Sequence, residues 1–126
     1  MCGDFVAGMA QTLRIGGLVI YGVVRDIAGI QALDYPVFCR GTTVAASNKQ
    51  KHSGINQAVS CGGIAVRPGD IIVGDVDGVV VVPQETAQSV LEKAKERMLK
   101  DEERAGRILG HPDAVKQYLD DILSAK

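Results

Sequence analysis

The chain predicts a layered α/β domain. Three observations carry that expectation. Short runs rich in Val and Ile are bounded by Gly, Pro and Asp, as buried strands are. The strand-like runs cluster in mid-chain, with helical periodicity before and after them. Finally, the glycine pairs at 16–17 and 62–63 do not form a GxGxxG turn between a strand and a helix, and there is no GxxxxGK loop, which speaks against a doubly wound nucleotide fold.

Taken in order, Phe5, Met9, Thr12 and Leu13 fall at helical spacing between Asp4 and Arg14, with Asp4 placed to cap the start. Gly16 and Gly17 end that helix and launch a strand from Leu18 to Tyr21, which exits through Val23 and Val24. Asp26 opens a short helix in which Ile27, Ile30 and Leu33 share a face. A second short strand is expected over Pro36 to Cys39. The polar stretch from Arg40 to Gln57 has no period and reads as a loop with a mobile tip. From Ala58 onward one β segment follows another, AVSCGGIAV, IIVGDVDG and VVVVP, with turns at Pro68-Gly69 and Asp77-Gly78, building a compact β layer. Gln84 to about Ile108 is an amphipathic helix carrying Ala87, Val90, Leu91, Ala94 and Met98 on one face. Gly110, His111 and Pro112 break it, and Asp113 to Leu123 forms a last short helix. The expected organisation is one domain over 1–126, with a core at 3–108 and a helical tail at 109–126.

With 126 residues the chain can bury one core, and its formal net charge of −1 argues against a nucleic-acid partner, which surplus Lys and Arg would hold. There is no long apolar run for a membrane and no signal-peptide pattern, so a soluble, cytoplasmic protein is expected. Cys2, Cys39 and Cys61 are too scattered for a CxxC pair or zinc site and read as small buried thiols. A Cys-His nucleophile would have to use His52 or His111.

The chemistry concentrates at Arg25-Asp26, at the end of the first strand. Arg25 offers a planar fork of donors that matches a carboxylate, and Asp26 offers hard oxygen to a cation. Together they could hold an α-keto acid. A structural ion pair or helix cap explains the same two residues. Asp70, Asp75 and Asp77 lie in turns, where Asp bonds its own backbone, and the run LKDEERAGR reads as a solvated helix face.

The strings GLVIYGVVRDIAGIQALDYPVFCRG and VSCGGIAVRPGDIIVGDVDGVVVVP resemble the family containing 4-hydroxy-4-methyl-2-oxoglutarate aldolase and the regulator of ribonuclease activity A. Its pattern, VVxDGxxRD, PVFxRG and CGGVxVxPGDxVxGDxDGVVVVP, is followed in order over about residues 3 to 97. The resemblance implies a swivelling β/β/α domain, of phosphohistidine-domain type, in a homotrimer or a dimer of trimers with sites between subunits. It implies a class II pyruvate aldolase using Mg²⁺ or Mn²⁺ that cleaves 4-hydroxy-2-oxo acids and decarboxylates oxaloacetate. Carried onto this chain, it assigns the metal to Asp26, substrate contact to Arg25, and pyruvate-carboxylate binding to the amides of Gly3, Asp4, Phe5 and Val6. Asp4 is then the candidate for placing the water that shuttles the proton, beside its reading as a helix cap. One residue of Asp101, Glu102 and Glu103 would reach a neighbouring subunit's metal through water. Two alternatives accompany this reading: a protein-binding regulator of ribonuclease activity, and an inactive, shortened family member.

The chain departs from the pattern in two places. Relatives of this type carry a strand-rich segment before the loop at Gly3, so the β layer is expected to be incomplete at the N-terminus, with an unpaired edge and exposed apolar surface. Tyr21 stands where the family has aspartate, which removes a carboxylate that would support Arg25.

Overall fold

A computed structural model describes residues 2–46 and 54–125. The chain divides into two compact units, Met1–Gln84 and Glu85–Lys126. The expected loop tip at 47–53, including His52, lies outside the described residues.

The first unit starts with helix α1 (Asp4–Thr12), then strand β1 (Leu18–Val24), helix α2 (Ile27–Ala32) and strand β2 (Val37–Thr42). β1 and β2 pair in parallel, Leu18 opposite Val37 and Val24 opposite Thr42, with a register shift between Ile20 and Val23. Parallel neighbours need a crossover, and α2 provides it. Both strands run further than their apolar residues suggest, because beyond the irregularity at Tyr21, Gly22 and Arg40 the ladder resumes with Val23 opposite Gly41 and Val24 opposite Thr42. Backbone pairing is indifferent to side-chain polarity.

Alternation sorts the faces of β1. Leu18 and Ile20 point toward α1 and α2, where Cys2, Ala7, Val24 and Ile30 form the core and Leu33, Tyr35 and Val37 pack around it. Val24 is the largest side chain buried completely. On the opposite face, Val19 and Tyr21 line an open apolar groove of about 690 Å³. Its other walls come from two hairpins, β3 (Val59–Cys61) with β4 (Ile64–Val66), and β5 (Ile71–Asp75) with β6 (Gly78–Val82). Gly62 and Gly63, both with positive φ, turn the first hairpin, and Gly78 has φ 144° at the second. Gly74 is required by contact instead: a Cβ there would stand 2.6 Å from the Phe38 ring.

The expected compact β layer is thus three two-stranded ladders, β1–β2, β3–β4 and β5–β6. Every residue of β5 is exposed, and Val59, Ile64, Val73 and Val80 are each more than half exposed.

The second unit is a helical hairpin. A 3₁₀ turn (Gln84–Thr86) leads into helix α3 (Ala87–Ile108), and helix α4 (Pro112–Ser124) follows. Gly110 takes φ 83° between them, and Pro112 stands at the first turn of α4, where its missing N–H costs nothing. Ile108 is buried. Along α3, Asp101 joins Arg97 at 3.3 Å and Arg104 at 2.7 Å.

Candidate active site

The end of β1 is held by the N-terminal segment. Cys2 forms an isolated parallel bridge with Val24, and the Arg25 N–H donates to the Cys2 carbonyl at 3.0 Å. This contact delivers Gly3 and the start of α1 to the side of Arg25. The chain then turns into α2 through Asp26, whose φ of 58° and ψ of 43° are left-handed. Asp26 does occupy the cap position, and its carbonyl accepts from the Ile30 N–H at 3.1 Å, but its side chain caps nothing. Instead, Oδ2 lies 3.0 Å from Arg25 Nε, with both side chains 46% exposed.

Magnitudes separate the structural and functional readings of this pair. An ion pair so open to water contributes at most about 1 kcal/mol. A left-handed residue other than Gly costs about 1–2 kcal/mol, less for Asp than for most. The arrangement therefore gives little or no net stability. The left-handed conformation is shared with Arg14, Asp34 and Asn56; what Asp26 adds is a carboxylate paired with Arg25 and open to solvent.

The expected substrate loop stands directly beside the pair. A Cβ on Gly3 would come within 2.7 Å of Asp26 Oδ2 and 3.3 Å of Arg25 Cγ and Nε, so only glycine lets the main chain approach this closely. Gly3, in extended conformation, is the cap residue of α1, and Asp4 is the first residue inside the helix. The expectation that Asp4 caps is corrected by one position: its Oδ1 accepts from the adjacent Phe5 N–H at 2.6 Å. Asp4 also packs on α2, since a Cβ on Gly29 would meet Asp4 Oδ2 at 2.6 Å, Cβ at 2.8 Å and Cγ at 3.0 Å. Phe5 contributes main chain only; its ring is exposed and faces Gly8, Met9, Leu13 and Leu33 in a separate hollow. Val6 is partly exposed.

Gly3, Arg25 and Asp26 therefore meet, and Asp4, next to Gly3 in the chain, lays its carboxylate against Gly29, one helical turn from Asp26. Gly29 was missed from sequence because a glycine inside a short helix reads as a weakness of that helix, and its role is set by a contact distant in sequence. The Asp26 carboxylate and the Arg25 guanidinium stand next to the positive end of α1, with a second carboxylate, that of Asp4, in the first turn of that helix. The residues fit a hard divalent cation of the magnesium type, which is held by one or two carboxylates and completes its shell with water and substrate oxygens. Among the described residues no group of three or more His, Cys, Asp or Glu could hold a metal by itself.

Other candidates settle elsewhere. Asp70 accepts from the Arg67 N–H at 2.7 Å, and Asp75 from the Asp77 N–H at 2.8 Å, the turn roles expected of such residues. Tyr21 engages Arg40, whose guanidinium sits 5.0 Å from the ring centroid. Of the thiols only Cys2 is buried, and burial pushes its pKa up; Cys39 is exposed and Cys61 half-buried, which corrects the expectation of buried thiols for both.

The family model described as RraA-like, Aldolase/RraA, matches residues 1–81. A protein of Halalkalibacterium halodurans, named as a candidate 4-hydroxy-4-methyl-2-oxoglutarate aldolase, is 49% identical over 98% of this chain and 59% of its own length. An uncharacterised Pseudomonas syringae protein of known structure superposes with a TM-score of 0.84 at 28% identity, over 95% of this chain and 57% of that one. The Streptomyces coelicolor protein RraAS2, described as an unusual member of the RNase ES inhibitor RraA family, gives a TM-score of 0.74 at 32% identity, over 85% and 55%. The chain spans a little over half the length of each.

Proposed function

The chain belongs to the RraA-like family, and from that premise we propose that its Arg25-Asp26 corner is the catalytic end of a divalent-metal-dependent lyase. The reaction is retro-aldol cleavage of 4-hydroxy-2-oxo acids to pyruvate, with decarboxylation of oxaloacetate at the same site. The observation that carries this reading is the close approach of Gly3, at the start of α1, to the Arg25-Asp26 pair at the end of β1, with Asp4 following Gly3 and seated on Gly29. The H. halodurans relative's name supports it as well.

Asp26 would hold Mg²⁺ or Mn²⁺ through its carboxylate. The cation, when bound, supplies Lewis-acid polarisation of the substrate's 2-oxo and carboxylate oxygens. Arg25 contacts the same oxygens and offsets the negative charge that gathers there as the C3–C4 bond breaks. Main-chain amides at the start of α1 receive the substrate carboxylate, as helix starts receive anions. Because the Phe5 amide is occupied by Asp4 Oδ1, this duty falls to its neighbours. Asp4 orients a water that takes the C4 hydroxyl proton, the bonding pair moves into the pyruvate enolate, and a proton then returns to C3. Oxaloacetate needs only the second half: carbon dioxide leaves, and the same enolate is protonated.

The test is pyruvate release from oxaloacetate followed with coupled lactate dehydrogenase. Activity should vanish in EDTA and return with excess Mg²⁺ or Mn²⁺. Equal rates with and without EDTA would remove the metal from the scheme. A second reading, a protein-binding regulator of ribonuclease activity, is favoured by the likeness to RraAS2. It requires capture of a ribonuclease partner that survives EDTA and the loss of Asp26.

A further inference from the structure

Gly29 lies outside the set of charged and main-chain groups assigned above, yet it touches one of them closely. A Cβ at position 29 would fall 2.6 Å from Asp4 Oδ2, 2.8 Å from its Cβ and 3.0 Å from its Cγ. Carbon and oxygen do not approach that closely, so any larger residue at 29 must displace Asp4. Swinging the carboxylate alone does not relieve the overlap, because Asp4 Cβ is inside the limit too.

The helix bearing Asp4 is also held at several points. Cys2 is bridged to Val24, Ala7 is completely buried, and Gln11 Nε2 donates to the Leu33 carbonyl at 2.7 Å at the far end of α2. Gly8 allows the Leu33 side chain within 3.9 Å of where its own Cβ would stand. With α1 held along its length, the surface of α2 at Gly29 sets where the Asp4 carboxylate lies.

We propose that Gly29 is a positioning residue: its bare backbone seats the Asp4 carboxylate against α2, one helical turn from Asp26, in the place where Asp4 orients the proton-carrying water. The role rests on the lyase reading of the site. It also explains why a helix of six residues tolerates a glycine that weakens it.

Gly29→Ala, Asp4→Gly and the double variant test this in two independent ways. The first readout is turnover of 4-hydroxy-4-methyl-2-oxoglutarate with Mg²⁺, because its C4 hydroxyl carries the proton that the Asp4-held water takes. Gly29→Ala should lower kcat by about a hundredfold, the scale of an ångström-sized misplacement, and leave KM within about twofold because Arg25 and the metal ligand are untouched. Asp4→Gly should lose a similar factor, and the double variant should be no slower than Asp4→Gly. The second readout is the urea midpoint. Gly29→Ala should lower it in the native background, where the new methyl strikes Asp4, and raise it in Asp4→Gly, where the three atoms nearest the methyl are gone and alanine favours the helix.

Wild-type kcat in Gly29→Ala, or losses that multiply in the double variant, would overturn the positioning role while leaving the lyase reading intact. A midpoint shift of the same sign and size in both backgrounds would overturn the contact itself, whether or not the protein is active. If Gly29→Ala does not fold, the double variant must; failure of both refutes the proposal. No pyruvate from the wild type removes the lyase reading and the catalytic role with it, and the midpoints then decide the contact alone.

Discussion

Replacing Asp26 separately by Gly and by Ala splits what this residue does for the site from what it does to the fold. Its φ of 58° and ψ of 43° are left-handed, a conformation costing about 1–2 kcal/mol for a residue with a Cβ and almost nothing for glycine. Asp recovers part of that cost through local polar contacts, which Ala lacks. The ion pair to Arg25, with both partners 46% exposed, contributes only about 0.5 kcal/mol after screening. Asp26→Ala loses the pair and keeps the full strain, so it should be destabilised by about 1 kcal/mol. Asp26→Gly loses the pair but sheds the strain, so it should match or exceed the wild type. The gap between the two variants, about 1 kcal/mol or more, corresponds to roughly 4 °C in Tm for a chain of this size. Urea denaturation gives the stability and metal-dependent pyruvate release the activity; both variants should be inactive, the glycine one while at least as stable as the parent. Equal stabilities would refute the strain argument, and activity in either would refute Asp26 as the metal ligand.

Other outcomes follow from the same geometry. Arg25→Lys keeps the charge but loses the planar fork, so kcat/KM for oxaloacetate should fall about tenfold or more while the urea midpoint moves by less than about 0.5 kcal/mol equivalent. Val24→Ala removes two methyl-sized groups from a side chain only 1% exposed, and should cost about 2 kcal/mol in denaturant unfolding. Burial raises the Cys2 thiol above its ordinary value of 9.0, so the folded state holds that proton more tightly than the unfolded chain does. The associated stability is present below about pH 9 and is lost as pH rises through the folded value; Cys2→Ala should flatten that alkaline decline in urea midpoints. At pH 8, Ellman's reagent should label exposed Cys39 well before Cys2 in the native protein.

Much of the fold was legible because its signals are local. The β-branched runs mark β1 and the β5–β6 hairpin, Pro68-Gly69 and Asp77-Gly78 mark turns, and the stripe from Ala87 to Met98 marks α3, whereas AVSCGGIAV reads as one segment and the structure folds it at Gly62-Gly63 into the β3–β4 hairpin. Boundaries shifted where backbone pairing outran side-chain pattern: β2 extends through Arg40 and Gly41 to Thr42 because β1 supplies hydrogen-bond partners there. The separation of the β segments into three ladders was not readable, since local alternation says nothing about which strand pairs with which. At the site, the adjacency of Arg25 and Asp26 was visible in the sequence and their left-handed turn was not. Asp4 was legible as a polar residue at a helix start, but its contact with Gly29 joins positions far apart in the chain, and only the packing of α1 on α2 reveals it.

Metal-dependent carbon–carbon cleavage at Asp26 and Arg25 is tested most directly by the products. Pyruvate release should be measured from oxaloacetate and from 4-hydroxy-4-methyl-2-oxoglutarate, with Mg²⁺, with Mn²⁺ and with EDTA, for the wild type and Asp26→Gly at matched folded concentration. Release from the wild type should require metal and disappear in Asp26→Gly. Folded wild-type protein that releases no pyruvate from either substrate, or a variant that keeps the wild-type rate, would contradict it.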